Sequence, residues 1–279
     1  MAFIETKNIQ HGQPIRIYYE DFGQGRPVIL IHGWPSTHLL WEYQSADLAA
    51  AGMRVISYDR RGFGLSSVPY RAYDYDSLSS DLNELIEKLD LHDVTLVGFS
   101  MGGGEVVRYL SKFGDKRIAK IVLIGAVPPC LGQKDDNPGG APVDVFEGML
   151  KGLKHDRAGF LAEFGKNFFG VGEPGIEVSD EFLQDFRTLA MLSSPHATQE
   201  CVASFAFTDF RPDLEAIKVP AMIIHGDNDK IVPFEISGAL MAKALPEAKL
   251  EVYEGAGHGL FYTHKEKLNG DLIAFIQGE

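Results

Sequence analysis

The strongest constraint on the fold is a repeated alternation of short, unbroken apolar runs with segments of helical period. Val28-Ile-Leu-Ile31 is followed by a helical pattern from Trp41 to Ala51. Arg54-Val-Ile-Ser57 is followed by one from Leu78 to Leu89, with apolar residues at 78, 82, 85, 86 and 89. Val94-Thr-Leu-Val97 leads into a helix predicted over Gly103 to Phe113, and Ile118 to Ile124 adds another run. A strand that is apolar at consecutive positions has to be buried on both faces. Strands of that kind alternating with helices predict a parallel sheet covered by helices on both sides. Upstream, Ile15-Arg-Ile-Tyr-Tyr-Glu20 alternates after a turn-prone Asn8 to Pro14 stretch, so the start reads as a β meander.

The rhythm breaks between about Pro128 and Phe210, where helical patches such as Val143 to Leu153 and Asp180 to Leu192 replace strand runs. It resumes at Pro220-Ala-Met-Ile-Ile-His225, followed by a helix predicted over Phe234 to Leu245, a strand over Leu250 to Tyr253 and a helix over Lys265 to Ile276. The expected organisation is an α/β core, 1–127 and 212–279, with a helical cap inserted at 128–211. At 279 residues one large α/β domain suffices.

Charge narrows the partners. Lys plus Arg number 26 and Asp plus Glu 39, a formal charge of −13, which disfavours nucleic acid and anionic membrane surfaces. The N-terminus carries no basic segment followed by an apolar one, and no run reaches membrane-spanning length, so a cytoplasmic protein is expected. Cys130 and Cys201 do not make a disulfide framework and read as packing residues.

Chemistry enters where the Val94 run ends, at Gly98-Phe-Ser-Met-Gly102. A serine on a sharp strand-to-helix turn, with glycines two residues away on each side, has the layout of a nucleophile elbow. The pattern alone is weak, since a glycine-rich strand end with a surface serine looks the same. Position gives it weight. A serine hydroxyl needs a base within hydrogen-bond reach and a third group to orient that base. Candidates follow at the ends of two later strands, where open α/β sheets place their sites: His225-Gly-Asp227-Asn-Asp229, then Glu254-Gly-Ala-Gly-His258. The order Ser, Asp, His is that of α/β hydrolases.

Of nine histidines, His258 alone lies in a glycine-rich loop after the last strand and is the expected base. His32 and His225 also follow strands and read as loop-structuring groups; His38, His155, His196 and His264 read as surface residues. Spacing leaves two candidate acids. Asp227 sits tight against the strand end, where carboxylates often bond turn amides, and Asp229 lies farther out with more reach toward His258. An oxyanion hole needs two N–H donors. Met101, the residue after the serine, supplies one at a helix N-terminus; the loop His32-Gly33-Trp34-Pro35 supplies the other, and since proline has no N–H that donor is Trp34.

The segments His32-Gly-Trp-Pro35, Tyr58-Asp-Arg-Arg-Gly-Phe-Gly-Leu-Ser66, Val97-Gly-Phe-Ser-Met-Gly-Gly-Gly104, Thr208-Asp-Phe-Arg-Pro212 and His225-Gly-Asp-Asn-Asp-Lys-Ile-Val-Pro-Phe234 resemble the α/β-hydrolase superfamily. Within it they most resemble the cofactor-free bacterial haloperoxidase, perhydrolase and aryl-esterase group. The resemblance covers the chain from about residue 15 to the C-terminus. It implies an eight-stranded, mostly parallel sheet with an inserted cap. It also implies Asp229 as the triad acid, Trp34 and Met101 as oxyanion donors, and Trp34, Phe164 and Val232 as substrate-pocket residues. No cofactor and no metal are expected, and a homo-oligomer, trimer or hexamer, is implied by resemblance only.

Epoxide hydrolases and haloalkane dehalogenases share the His-Gly-Trp-Pro loop but attack sp³ carbon with aspartate, leaving an ester that water can split. Serine there would leave a stable ether, so Ser100 points to acyl transfer. The acyl acceptor can be water, giving an esterase, or hydrogen peroxide, giving a peracid that oxidises halide. A lactamase, lactonase or amidase using the same triad is an alternative within acyl transfer. A non-catalytic ligand-binding protein on the same fold is an alternative of another class.

Overall fold

The computed structural model describes residues 2–10 and 12–278. Its strands are β1 (Ala2–Gln10), β2 (Gln13–Gly23), β3 (Arg26–Ile31), β4 (Met53–Tyr58), β5 (Val94–Phe99), β6 (Ile118–Ile124), β7 (Ala221–Gly226) and β8 (Lys249–Tyr253). They form one eight-stranded sheet in the order β1-β2-β4-β3-β5-β6-β7-β8. The β1–β2 and β2–β4 pairs are antiparallel, and every later pair is parallel. The parallel sheet expected from the alternating runs is therefore present, with the eight strands that the resemblance implied.

Burial follows the residue types. The strands β5 and β7 are buried at every position, whereas the edge strands β1 and β8 are partly exposed. The antiparallel start includes an N-terminal strand, β1, that the turn-prone reading of Asn8 to Pro14 did not resolve. Its inward residues are few, Ile4 and Thr6, and its partner strand supplies the rest of its definition.

Helices fill the connections. In chain order they are α1 (Glu42–Ala50), α2 (Tyr75–Lys88), α3 (Met101–Phe113), α4 (Val143–His155), α5 (Arg157–Phe169), α6 (Asp180–Met191), α7 (Pro195–Phe207), α8 (Arg211–Leu214), α9 (Gly238–Ala244), α10 (Leu260–Thr263) and α11 (Lys265–Gln277). In α2 the buried Leu78, Leu82, Leu85 and Ile86 form the apolar stripe read from the sequence. Asp74 caps this helix by accepting from the Ser77 amide at 2.9 Å, which starts it one turn earlier than its apolar period suggests. The segment between β6 and β7 holds α4 to α8 and no strand of the sheet.

The helix predicted from Phe234 to Leu245 is instead two pieces, a short 3₁₀ turn at Phe234–Ile236 and then α9. Ser237 breaks it. Its hydroxyl donates to the carbonyls of Ala126 and, at 3.0 Å, Pro128, and its backbone leaves the helical region at φ −134°. A long-range contact that satisfies two buried carbonyls outweighs local helical period here.

His38 corrects another expectation, since it is buried rather than a surface residue, at 7% exposure. Its Nδ1 lies 2.8 Å from Asp59 Oδ1, and its Nε2 lies 3.5 Å from Glu20 Oε1. Burial alone would lower its pKa, but the bond to Asp59 and the charges of Asp59 and Glu20 outweigh that and hold it above the ordinary histidine value. A raised folded-state pKa contributes stability that is complete below the unfolded value and is lost as pH rises through the folded one. Comparing thermal unfolding of the wild type and His38→Gln at about pH 5.5 and about pH 8.5 should show a larger wild-type advantage at the lower pH. A constant or reversed difference would contradict the pairing.

Candidate active site

The sheet places its site by topology. From β3 the chain moves to β4 on one side and, through α2, to β5 on the other, so the crevice outside the ends of β3 and β5 is a switch point. The loops after β3 and β5 meet there. A Cβ added to Gly33 would stand 2.9 Å from the Cβ of Ser100.

Ser100 sits between β5 and α3 with φ 54° and ψ −120°, a backbone conformation that costs free energy for any residue with a Cβ. Its amide donates to the Ile124 carbonyl at 2.8 Å, and its carbonyl accepts from Gly103 at 3.0 Å, which pins the turn on both sides. The flanking glycines make the turn possible by close approach. A Cβ on Gly98 would lie 2.6 Å from the Gly102 carbonyl oxygen, and one on Gly102 would lie 2.5 Å from that of Ile31. Packing against β3 thus lets α3 begin at Met101, two residues before its predicted start, despite three consecutive glycines.

The structure brings the three expected side chains together. Ser100 Oγ is 2.9 Å from His258 Nε2, and His258 Nδ1 is 2.6 Å from Asp229 Oδ2. All three are buried, and Ser100 faces the cavity described below. Phe168 meets the His258 ring edge-on at 4.7 Å between centroids, and Phe99 packs at 4.8 Å, so the imidazole has little room to turn. The His258 loop is also tied to α5, because Gly259 N–H donates to the Phe168 carbonyl at 2.8 Å.

The two candidate acids differ in where each carboxylate points. Asp227 Oδ1 accepts from the Gly255 amide at 2.7 Å and serves its own turn. Asp229 Oδ1 accepts from the amides of Ile231 and Val232 at 2.9 and 2.8 Å, which leaves Oδ2 facing His258. Burial would raise the pKa of Asp229. The charge of His258 and hydrogen bonds from His225 and His258 outweigh it and hold the carboxyl well below the usual range, so Asp229 is ionised at neutral pH.

His225 and His32 have the loop-structuring places expected of them. His225 Nε2 lies 2.8 Å from the Val232 carbonyl, which closes the acid loop, and 3.4 Å from Asp229 Oδ2. His32 Nε2 accepts from the Arg60 amide at 3.1 Å. Burial, then the nearby Arg60 charge, push the His32 pKa well down, so it is neutral.

The two candidate oxyanion donors flank Ser100. Met101 is the first residue of α3, where backbone N–H groups have no partner within the helix. Trp34 occupies a turn closed by the Ser36 amide on the Gly33 carbonyl at 3.1 Å, a bond that does not use the Trp34 N–H. Its indole Nε1 donates to the Thr198 carbonyl at 3.0 Å, and Phe164 and Phe205 pack edge-on against the ring.

Above Ser100 lies a cavity of about 240 Å³. Trp34, Phe164 and Val232, the expected pocket residues, are among those that line it. The sequence did not reveal the rest of the wall, which includes Leu131, Val145, Phe146 and Met149 from α4 and the segment before it, and Phe205 from α7. Helical period identifies their buried faces but not which distant helix they oppose. Glu163, Asn167 and Lys230 are the polar groups at the rim, each solvent-exposed; Lys230 forms an ion pair with Glu173. Cys130 and Cys201 are buried, and Cys201 is pushed up to about 12 by burial, so it stays a thiol. Among the described residues no cluster of three or more His, Cys, Asp or Glu could hold a metal ion. No helix of the described residues is long and apolar enough to cross a membrane.

Such a constellation can deprotonate a serine, hold an acyl group against apolar walls and stabilise negative charge on a carbonyl oxygen. Comparison with known proteins agrees with its architecture. The alpha/beta hydrolase fold family matches residues 26–265. A non-heme chloroperoxidase of Kitasatospora aureofaciens is 40% identical over 94% of this chain and 96% of its own. A bifunctional esterase/perhydrolase of Acinetobacter calcoaceticus is 35% identical over 99% of this chain and 100% of its own. The crystal structure of a bromoperoxidase from Bacillus anthracis superposes with a TM-score of 0.93 at 48% identity, covering 99% of both chains. This chain belongs to the α/β-hydrolase family, within the group that holds the non-heme haloperoxidases.

Proposed function

We propose that this protein is a serine-dependent acyl-transfer enzyme that hydrolyses small, uncharged carboxylic esters and also forms peracids from carboxylic acids and hydrogen peroxide. The observation that carries the reading is the chain of contacts from Asp229 through His258 to Ser100 Oγ, at 2.6 and 2.9 Å, on the floor of an apolar cavity. Names of the relatives, an esterase/perhydrolase and chloroperoxidases among them, support the same class.

In this reading His258 Nε2 takes the Ser100 proton as Oγ attacks the substrate carbonyl, and Asp229 holds the imidazole with its proton on Nδ1. Trp34 N–H and Met101 N–H receive the carbonyl oxygen as it becomes negative. His258 then returns the proton to the leaving group, the alcohol of an ester or, where the acyl donor is a neutral carboxylic acid, water, and the acyl group remains on Ser100. Water attacking this ester releases the acid. Hydrogen peroxide attacking it releases the peracid, which oxidises bromide to hypobromous acid and is itself reduced to the carboxylic acid.

The size and walls of the cavity support a substrate class. Its volume is roughly one and a half times the ~150 Å³ that accommodates benzene, so it fits an aryl ring or a short acyl chain. Burying an unpaired carboxylate against such walls would cost several kcal/mol even after the protein relaxes, so neutral acyl groups are favoured. We read residues 128–211 as the cap that supplies those walls. Bromination of a halogen acceptor by hydrogen peroxide is expected to require added acetate and to vanish in Ser100→Ala. Bromination that is independent of acetate and survives the substitution would sink the perhydrolase reading.

A further inference from the structure

Behind the two proposed oxyanion donors lies a buried ion pair that takes no part in the chemistry just described. Arg60 follows β4 and is 1% exposed; Glu105 lies in α3, four residues after Met101, and is fully buried. Arg60 Nε and Nη2 each approach Glu105 Oε1 at 2.5 Å. The second carboxylate oxygen accepts from the Tyr58 hydroxyl at 2.7 Å. The same Nη2 also donates to the His32 backbone carbonyl, at 2.6 Å. The Arg60 amide holds the His32 ring from below, and His32 Nδ1 lies 2.8 Å from the Gly33 carbonyl oxygen. Both peptides that precede Trp34 are thus held by Arg60, one directly and one through His32.

An ion pair buried this deeply is weak evidence for stability, because removing two charges from water offsets most of their attraction. Its placement is more telling. Trp34 and Met101 belong to separate elements, yet their N–H groups would have to converge on one oxygen, and small displacements of such donors are costly. Arg60 is bonded to the element that carries one donor and to the helix that carries the other. The guanidinium grips Glu105 through Nε and Nη2 while Nη2 also reaches His32, a planar set of contacts that the single nitrogen of a lysine does not reproduce.

We propose that the Arg60–Glu105 pair is a positioning device that sets the spacing between the Trp34 and Met101 donors. The proposal rests on the acyl-transfer reading of Ser100.

The test replaces the whole pair by uncharged residues, Arg60→Met with Glu105→Leu, and adds Tyr58→Phe so that no hydroxyl is left without its acceptor. The readouts are kcat and KM for para-nitrophenyl acetate, binding of phenylboronic acid, whose tetrahedral serine adduct needs the oxyanion donors, and binding of benzyl alcohol, which fills the apolar cavity without them. The expected result is a kcat lowered by about 10- to 100-fold, the range for a displaced donor, with KM within about threefold. Phenylboronic acid should weaken by the same factor as kcat, and benzyl alcohol binding should be unchanged. If the triple variant does not fold, Arg60→Lys is read in the same way, with the charge kept and the fork lost. A kcat within twofold of wild type overturns the proposal, as does an equal weakening of both ligands, which would mark general loosening. Ser100→Ala is measured alongside. If that variant retains activity the acyl-transfer reading itself fails; if it is inactive while the brace variant is normal, only the brace fails.

Discussion

Ser100→Ala should lower kcat for para-nitrophenyl acetate by about a millionfold, the scale of losing a serine nucleophile from an intact triad. The substitution is unusually clean here. The Ser100 side chain makes its hydrogen bond to His258, and the turn is held by backbone bonds from Ser100 to Ile124 and Gly103, which alanine keeps. The positive φ is equally costly for serine and alanine, so the elbow should persist. The cavity loses one oxygen and no wall, so apolar ligands should bind as before. Thermal unfolding within a few degrees of the wild type would exclude a folding defect. A variant retaining a tenth of wild-type turnover would mean that another group attacks the ester.

Asp229→Asn is expected to lower kcat by about ten-thousandfold, the size found when a triad acid becomes its amide. The reason lies in which oxygen is already committed. The amides of Ile231 and Val232 both donate to Oδ1, so the asparagine must place its carbonyl oxygen there and its NH₂ toward His258. An NH₂ facing Nδ1 requires that nitrogen to be unprotonated, which puts the ring proton on Nε2, opposite Ser100 Oγ. His258 then cannot accept the serine proton. Two amide bonds to the side chain survive, so the loop should fold, and KM should change much less than kcat. A kcat within tenfold of the wild type would show that His258 needs no orienting carboxylate, or that Asp227 provides it. The second possibility conflicts with its bond to Gly255, and Asp227→Asn, expected to be nearly silent in kcat, separates the two.

Much of the candidate site was legible because its parts are local. The Gly98–Gly102 turn and the His258 loop are each defined by a few consecutive residues, and strand order carries them to one edge of the sheet. Asp227 and Asp229 could not be told apart by spacing, since the distinction depends on which carboxylate the turn at Gly255 consumes. His38 read as an exposed residue because nothing adjacent in sequence signals Asp59, twenty-one residues away. The cavity wall from α4 and α7 and the Arg60–Glu105 brace are likewise long-range pairings, invisible to a local pattern. Where local pattern and structure disagree, at Met101 and at Ser237, tertiary contacts override helical propensity.

The central claim is that an acyl group is carried on Ser100 Oγ and that water and hydrogen peroxide compete for it. Rapid acid quench of the wild-type enzyme during turnover of para-nitrophenyl acetate, followed by peptide mass spectrometry, tests this directly. The account predicts one acetyl group on the peptide containing Ser100, diminished in steady state when hydrogen peroxide is added, and absent from Ser100→Ala. Full turnover with no acetyl group on Ser100, or with the acetyl group on another residue, would contradict it.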